Sequence, residues 1–504
     1  MKKPIIISIC FVLSMCLLFS ACSVKDNEDE NIAETPTGQN NDGTESENLI
    51  ILPYSSSDSL NPFFASGIEN ISLASLSFEP LFKVKKDYTP EPALADTYSV
   101  TQSAVEVALK PSQFSDGTSV GVNDVVYSFN KAKTSAAYAQ NLINVKSAKA
   151  SGNKITFELN APDLFALNTL TFPIVKSGTA DKADSVALGS GPYIYGDLQY
   201  TKNEKYSGEV SLKTIKLYNI VSLEYASNAV EIGNVNFLFD DLSTGKYERI
   251  EAENAHIGLN NLVYLGLNNA YGALASSAVR TAVYYAADKD EISSSAYQGY
   301  AKAAPVLFNP SYSGASDLIS GSSAADKDKA QNILMKSGFT KYSKSGILTD
   351  GKNELKFTLL VNSDNTFRST AAQHIADSLN LLGFSVVIES LPTEQYLAKI
   401  AAGNFQMYLG EIKLTDNMDF WQFFKDSGAA SKGIDKSLKV CAQYQAFCEG
   451  TIGIDVFINS FLDDVPFVPI CYRDGIASFK AGIVPDFSYS GENLYGNIVK
   501  WTEK

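Results

Sequence analysis

The sequence predicts an α/β fold, and three observations carry that prediction. Leu355 to Val361 reads as a strand, Ser369 to Leu382 as a helix and Phe384 to Ile388 as a strand again. In the middle segment Ala372, Ile375, Ala376 and Leu379 fall on one helical face. Strand, helix and strand joined this briefly form a parallel, right-handed crossover. Earlier, Val105, Val107 and Leu109 alternate as in a half-buried strand, with turn chemistry beyond them at Phe114-Ser115-Asp116-Gly117-Thr118. The third observation is size: about 455 residues follow the polar N-terminal region, enough for a large core and at least two lobes.

The elements follow in order. Met1-Lys2-Lys3, an apolar run from Ile5 to Phe19 and the ending Phe19-Ser20-Ala21-Cys22 have the form of a secretory signal over 1–21. The small-small-Cys ending resembles the lipobox of bacterial lipoproteins, which implies that Cys22 is lipidated and heads the mature chain. Phe19 stands where leucine is usual. Residues 22–48 then read as a lipidated cysteine and a disordered acidic tether, reaching about 30 Å as a flexible coil. Asn48 to Tyr54 is a buried strand, followed by SSSDSLNPFF with loop chemistry. Asp124 to Phe129 opens a helix with acid in its first turn. Gly189-Ser190-Gly191-Pro192-Tyr193 is a tight turn before a short strand, and Val263 to Asn268 is an apolar strand. Ser277 to Ala287 is helical, with Val279, Ala282, Val283 and Ala286 on one stripe.

Composition excludes several functions. A formal charge of −15 and a pI near 4.8 oppose nucleic acid, which demands clustered Lys and Arg. The same charge repels anionic lipid, so membrane attachment must come from the acyl chain. Beyond Cys22 the cysteines are Cys441, Cys448 and Cys471, without metal-ligand spacing. Cys441 and Cys448 are too far apart on one helical face for a disulfide, and all three read as buried small hydrophobes. His256 and His374 are the only histidines, little material for a histidine-based centre, and no cofactor is expected.

Short motifs then recur in a fixed order. In the first half they are Phe78-Glu79-Pro80-Leu81, Pro92-Ala93-Leu94-Ala95, Phe114-x-Asp116-Gly117-Thr118 with Asp124-Val125, and Ser190-Gly191-Pro192-Tyr193. In the second half they are Leu265-Gly266-Leu267-Asn268, Ala278-Val279-Arg280-x-Ala282, Ala286-x-Asp288, Lys329-Ala330 with Gly338-Phe339, and Asp464-x-Pro466-x-x-Pro469. This run, from about residue 49 to 480, resembles the family 5 extracellular solute-binding proteins, the oligopeptide, dipeptide and nickel receptors of ABC importers.

The resemblance implies a two-lobed periplasmic-binding-protein-like fold with mixed sheets and a hinge of two crossing strands, near Tyr264–Asn268 and Phe467–Ala477. It places lobe I at 49–265 plus 478–504 and lobe II at 266–477. It further implies a monomer held at the extracytoplasmic membrane face, closing on a peptide or similar solute and docking on a permease with its ATPase subunits. A lipoprotein that senses a peptide signal without importing it uses the same cleft and remains the alternative.

One stretch, TDNMDFWQFF from Thr415 to Phe424, sets carboxylates against a dense aromatic run. Where dipeptide receptors of this family carry an acidic loop for the ligand's amino group, this chain has Asp416-Asn417-Met418-Asp419, with Trp421 following. A carboxylate at the edge of an apolar cleft attracts a cation strongly once water leaves. The same pattern also fits a helix start with acid in its first turn and ordinary core phenylalanines behind it. Other expected ligand contacts are Tyr54 and Ser55 after the first strand, Asn268 and Asn269 at the crossing, and Asn362. Asn362 stands where the dipeptide receptors place an arginine, and Arg368 nearby is expected in a structural salt bridge. Gly117-Thr118-Ser119-Val120-Gly121 is a literal G-x-S-x-G and makes Ser119 the only hydrolase nucleophile to weigh. Its context is a turn after an alternating strand, so no enzyme is expected.

Overall fold

The computed structural model describes residues 49–319 and 323–503. The expected signal segment, Cys22 and the tether lie outside the described residues.

Strand Leu49–Tyr54 pairs in parallel with Thr214–Asn219, which continues antiparallel to Gln199–Lys202 and Tyr193–Gly196. A second, antiparallel sheet runs Ala95–Val100, Ala104–Leu109, Lys154–Leu159, Val145–Ser151. Its alternating Val105, Val107, Ile155 and Phe157 are fully buried. They pack under helix Val122–Ala132, whose Val125 and Phe129 face the sheet. Asp124 accepts a hydrogen bond from the Gly121 N–H at 3.0 Å, holding the helix start as its acidic first turn predicts.

The predicted crossover is present. Lys356–Asn362 pairs in parallel with Ser385–Leu391, and helix Thr366–Asn380 buries Ala372, Ile375, Ala376 and Leu379 over them. These strands belong to a sheet of seven strands among the described residues, centred on two long antiparallel members, Glu253–Leu267 and Phe467–Phe479. The first of these begins ten residues before the apolar run that predicts it, because Glu253 to His256 are mostly polar and largely exposed and polar residues interrupt the six that follow.

The two long strands join two cores. Ile257, Leu259, Ala477 and Phe479 pack with Ile50, Leu52 and Trp501, whereas Val263, Leu265, Val468 and Ile470 pack with the crossover helix and with Ser277–Ala286. Between Ile257 opposite Gly475 and Asn261 opposite Arg473 the register slips, so Gly258, Leu259 and Asn260 stand against Asp474 alone. A bulge of this kind bends a strand and raises its local twist. It lies where the strands leave one core for the other. The result is a two-lobed α/β molecule with mixed sheets.

Cys471 is fully buried, while Cys441 and Cys448 are half-buried on helix Lys439–Cys448, and all three are free thiols. Ser119 is exposed, on the turn after Gly117.

Candidate functional site

The strand Met407–Lys413 ends at the lobe boundary, and the chain turns through Thr415–Asp419 before the short helix Trp421–Phe424. Met418 takes a left-handed backbone (φ 53°), and its N–H closes the turn on the Thr415 carbonyl at 3.1 Å. The loop is fastened from several sides. Asn260, in the bulge of the crossing strand, donates to the Thr415 carbonyl at 2.9 Å. From the other lobe, Asn168 donates to the Asp416 carbonyl at 2.8 Å and to the Tyr88 carbonyl at 2.7 Å. Asn417 reaches back across the boundary and donates to the Asp163 carboxylate at 2.8 Å.

The Asp416 side chain is buried, with 6% of its surface exposed, and accepts a hydrogen bond from the Ser490 hydroxyl at 2.7 Å. It enters a cavity of about 70 Å³ whose other walls come from the first lobe: Ile71, Ala74, Phe78, Phe82, Tyr138, Lys83 and Glu492 among them. Burial, and then the neighbouring Glu492 charge, push the Asp416 carboxyl up to about 7; the Ser490 bond and Lys413 offset only part of this. Lys413 itself pairs with Glu492 at 2.6 Å. A carboxylate taken from water with one hydroxyl as partner is strongly disfavoured in its charged form.

Asp419 meets different surroundings. Its Oδ1 accepts from the Trp421 N–H at 3.0 Å and from the Tyr444 hydroxyl. The aromatic run behind it is core: Phe420 and Phe423 are fully buried, Phe424 nearly so, and Phe423 stacks on Phe467 with centroids 4.0 Å apart. Trp421 is half-buried against the same cluster. A second boundary cavity, about 20 Å³, holds Asp163 from the first lobe opposite Asn417 and Asp419. Burial, and then the Asp419 charge, push Asp163 up to about 6.

The structure thus brings Asp416, Asn417 and Asp419 together with first-lobe side chains that sequence reasoning did not select: Asp163, Asn168, Ser490 and Glu492. Only Ser490 and Glu492, in the polar C-terminal segment, lie near the expected return of the chain to the first lobe. The remaining expected contacts stand elsewhere. Tyr54 lines a separate cavity within the first lobe, and Ser55 is held beside it by Asn70. Asn268 lines a cavity of about 290 Å³ inside the second lobe and donates to the Phe405 carbonyl at 3.0 Å. Asn269 is buried and donates to the Leu267 and Pro466 carbonyls, both at 3.1 Å. Asn362 accepts from the Asp364 N–H at 2.8 Å and the Thr393 hydroxyl at 3.2 Å. Arg368 adjoins the Tyr396 hydroxyl.

His256 lies on the crossing strand, 3.8 Å from Asp474, and His374 lies 3.5 Å from Glu291. Among the described residues no three His, Cys, Asp or Glu side chains gather as a metal-binding group. No described helix is long and apolar enough to cross a membrane.

Comparison with known proteins agrees with this architecture. Residues 89–432 match the model of the bacterial extracellular solute-binding proteins, family 5 Middle. The nickel-binding protein NikA of Staphylococcus aureus is 25% identical over 382 residues, covering 70% of this chain and 73% of that protein. Among solved structures, NikA from Brucella suis in complex with Fe(III)-EDTA superposes with a TM-score of 0.69 at 17% identity, covering 90% of this chain and 100% of the other. The oligopeptide-binding protein AppA from Bacillus subtilis, in complex with a nonapeptide, superposes at 0.58 with 18% identity, covering 90% and 99%. The chain belongs to the family 5 bacterial extracellular solute-binding proteins, two-lobed extracytoplasmic receptors that serve ABC importers and are not enzymes.

Proposed function

We propose that this receptor captures an amine-bearing solute, a peptide with a free N-terminus, by closing its lobes over Asp416. The observation that supports this reading is the buried Asp416 carboxylate: it comes from the second lobe, points into a first-lobe cavity, and has one hydroxyl as its hydrogen-bond partner. A ligand ammonium would supply the missing counter-charge and its hydrogen bonds in a water-poor site. Apolar and aromatic walls from Phe78, Phe82 and Tyr138 would take the ligand's stem. A cavity of about 70 Å³ holds a few water molecules, far below the ~300 Å³ at which drug-sized pockets begin. A peptide therefore enters only when the lobes part, and the bulge at Gly258–Asn260 opposite Asp474 is the proposed pivot.

A Cys22-borne lipid would keep the receptor beside its permease, confining the search for it. Membrane fractionation of Cys22→Ser tests that anchor: release into the soluble fraction is expected, and retention would exclude it. For the ligand, calorimetric titration with di- to octapeptides, free and N-acetylated, is decisive. Free peptides should bind and acetylated ones bind far more weakly. Equal affinity for the two forms would end the reading.

A further inference from the structure

The proposed pivot carries a titratable pair that ligand capture does not use. Asp474 is the residue past which the crossing strands slip, between His256 opposite Ile476 and Asn261 opposite Arg473. It is 3% exposed, and among the described residues the only basic side chain within ion-pair distance of its carboxylate is His256, whose Nδ1 lies 3.8 Å away. The His256 side chain is 47% exposed and so exchanges protons with solvent. We propose that protonated His256 pairs with Asp474 and holds the lobes in their closed arrangement, and that the pair releases them as pH rises. This rests on the bulge as pivot and not on which solute is captured.

The surrounding groups leave this pair to itself. Lys302 donates to the Ser311 hydroxyl at 2.9 Å, and Arg473 is engaged by Glu411 at 2.7 Å, with Asp240 as a further charge near it. The Asp474 N–H donates to the Tyr300 carbonyl at 2.9 Å, and the Tyr300 ring lies against the His256 imidazole with centroids 4.9 Å apart. Tyr247 packs on Tyr300, also at 4.9 Å, and Arg249 adds a positive charge near the Tyr300 hydroxyl. Burial pushes that hydroxyl up to about 12, so Tyr300 stays neutral and acts as a backing plate. The imidazole is thus set beside the carboxylate at a distance too long for a hydrogen bond and short enough for strong attraction once it is charged. Burial pushes the Asp474 carboxyl up, and Lys302, His256 and Arg473 draw it back only in part. A carboxylate so placed gains from an imidazolium partner. The charged pair therefore exists below the titration of His256 and above that of Asp474, and is lost as pH rises through the former; histidine is the side chain that changes charge between about pH 5 and 8. His256 stands on the first-lobe side of the slip and Asp474 within it, so a rotation taken up at the bulge alters their spacing.

Small-angle scattering of the ligand-free, full-length protein at about pH 5.5 and about pH 8, at one ionic strength, tests the switch. A smaller radius of gyration is expected at the acid end. His256→Gln should keep the larger value at both, whereas His256→Lys, which carries its charge throughout, should keep the smaller value at both. Asp416→Asn, whose carboxyl belongs to the cleft, should retain a pH difference that His256→Gln then removes. No pH response in wild type, or the same response in His256→Gln as in wild type, overturns the proposal. So does a response that vanishes in Asp416→Asn and survives in His256→Gln, which would give it to the cleft carboxyl. If His256→Lys does not fold, His256→Gln decides alone. No peptide is present, so a failed peptide titration leaves this result standing, and the reverse holds equally.

Discussion

Asp416 and Asp419 sit three residues apart on one loop, and burial pushes both carboxyls up, yet the partners the fold gives them differ. Asp419 has two donors from its own lobe, the Trp421 N–H and the Tyr444 hydroxyl, and serves the start of a helix. Asp416 crosses the lobe boundary, has a single hydroxyl partner and a neighbouring carboxylate in Glu492, and is pushed toward neutrality. Burial of charge is tolerated where the fold itself supplies partners and is unfavourable where it does not. The difference separates a carboxylate that belongs to the architecture from one whose partner is best supplied by something else. The aromatic cluster behind Asp419 packs the loop in place, so Asp416 is held at its position with a single hydroxyl partner.

Substitutions along this loop should divide the same way. The largest effect belongs to the cluster that anchors it. Phe423→Ala removes a fully buried ring stacked on Phe467 and should destabilise the fold by about 3–5 kcal/mol in urea or thermal unfolding. A loss under ~1 kcal/mol would mean that the loop is not anchored there. Asp416→Asn comes next: affinity for a free-amine peptide should fall by about 1–3 kcal/mol, with little change for an N-acetylated one. Equal losses for both would make Asp416 structural. Asp419→Ala should do the reverse, costing about 1–2 kcal/mol of stability as a helix-start residue while leaving peptide affinity unchanged.

A further difference is in pH. A free carboxyl titrates near about 3.9, and Asp416 in the folded protein near about 7, so across that window the folded state holds the extra proton. The Asp416 contribution to stability is therefore full at the acid end, declines as pH rises through the window and is flat above it. Thermal midpoints of wild type should show this downward slope from pH 4 to 7 more strongly than those of Asp416→Asn. An identical slope in both would remove Asp416 as its source.

Much of the fold was legible because it is local. The crossover at Lys356–Leu391 announces itself by period and by short connections, and the Val105/Val107 alternation survives intact in a half-buried sheet. The helix Ser277–Ala286 ends within a residue of its predicted end. The front of Glu253–Leu267 was not legible, since its apolar residues are interrupted by polar ones and the partner of Glu253 lies more than 200 residues away at Phe479. Of the site, the acidic loop was readable, but its first-lobe partners were not. Ser490 and Glu492 are single polar residues in a polar segment, and Asn168 lies in a run of hydrophobic positions where its two long-range bonds leave no trace. Tyr54, Asn268, Asn269 and Asn362 have turn-forming or strand-end chemistry, which marks any connection equally well.

The sequence by itself determined the α/β class, the order of the elements and the acid-aromatic loop, because periodicity, capping and turn preferences act between residues a few positions apart. Only the tertiary structure decided which carboxylate was left wanting. The charge state of a buried side chain depends on what the far ends of the chain bring beside it, and here Ser490 and Glu492 reach Asp416 from more than 70 residues away.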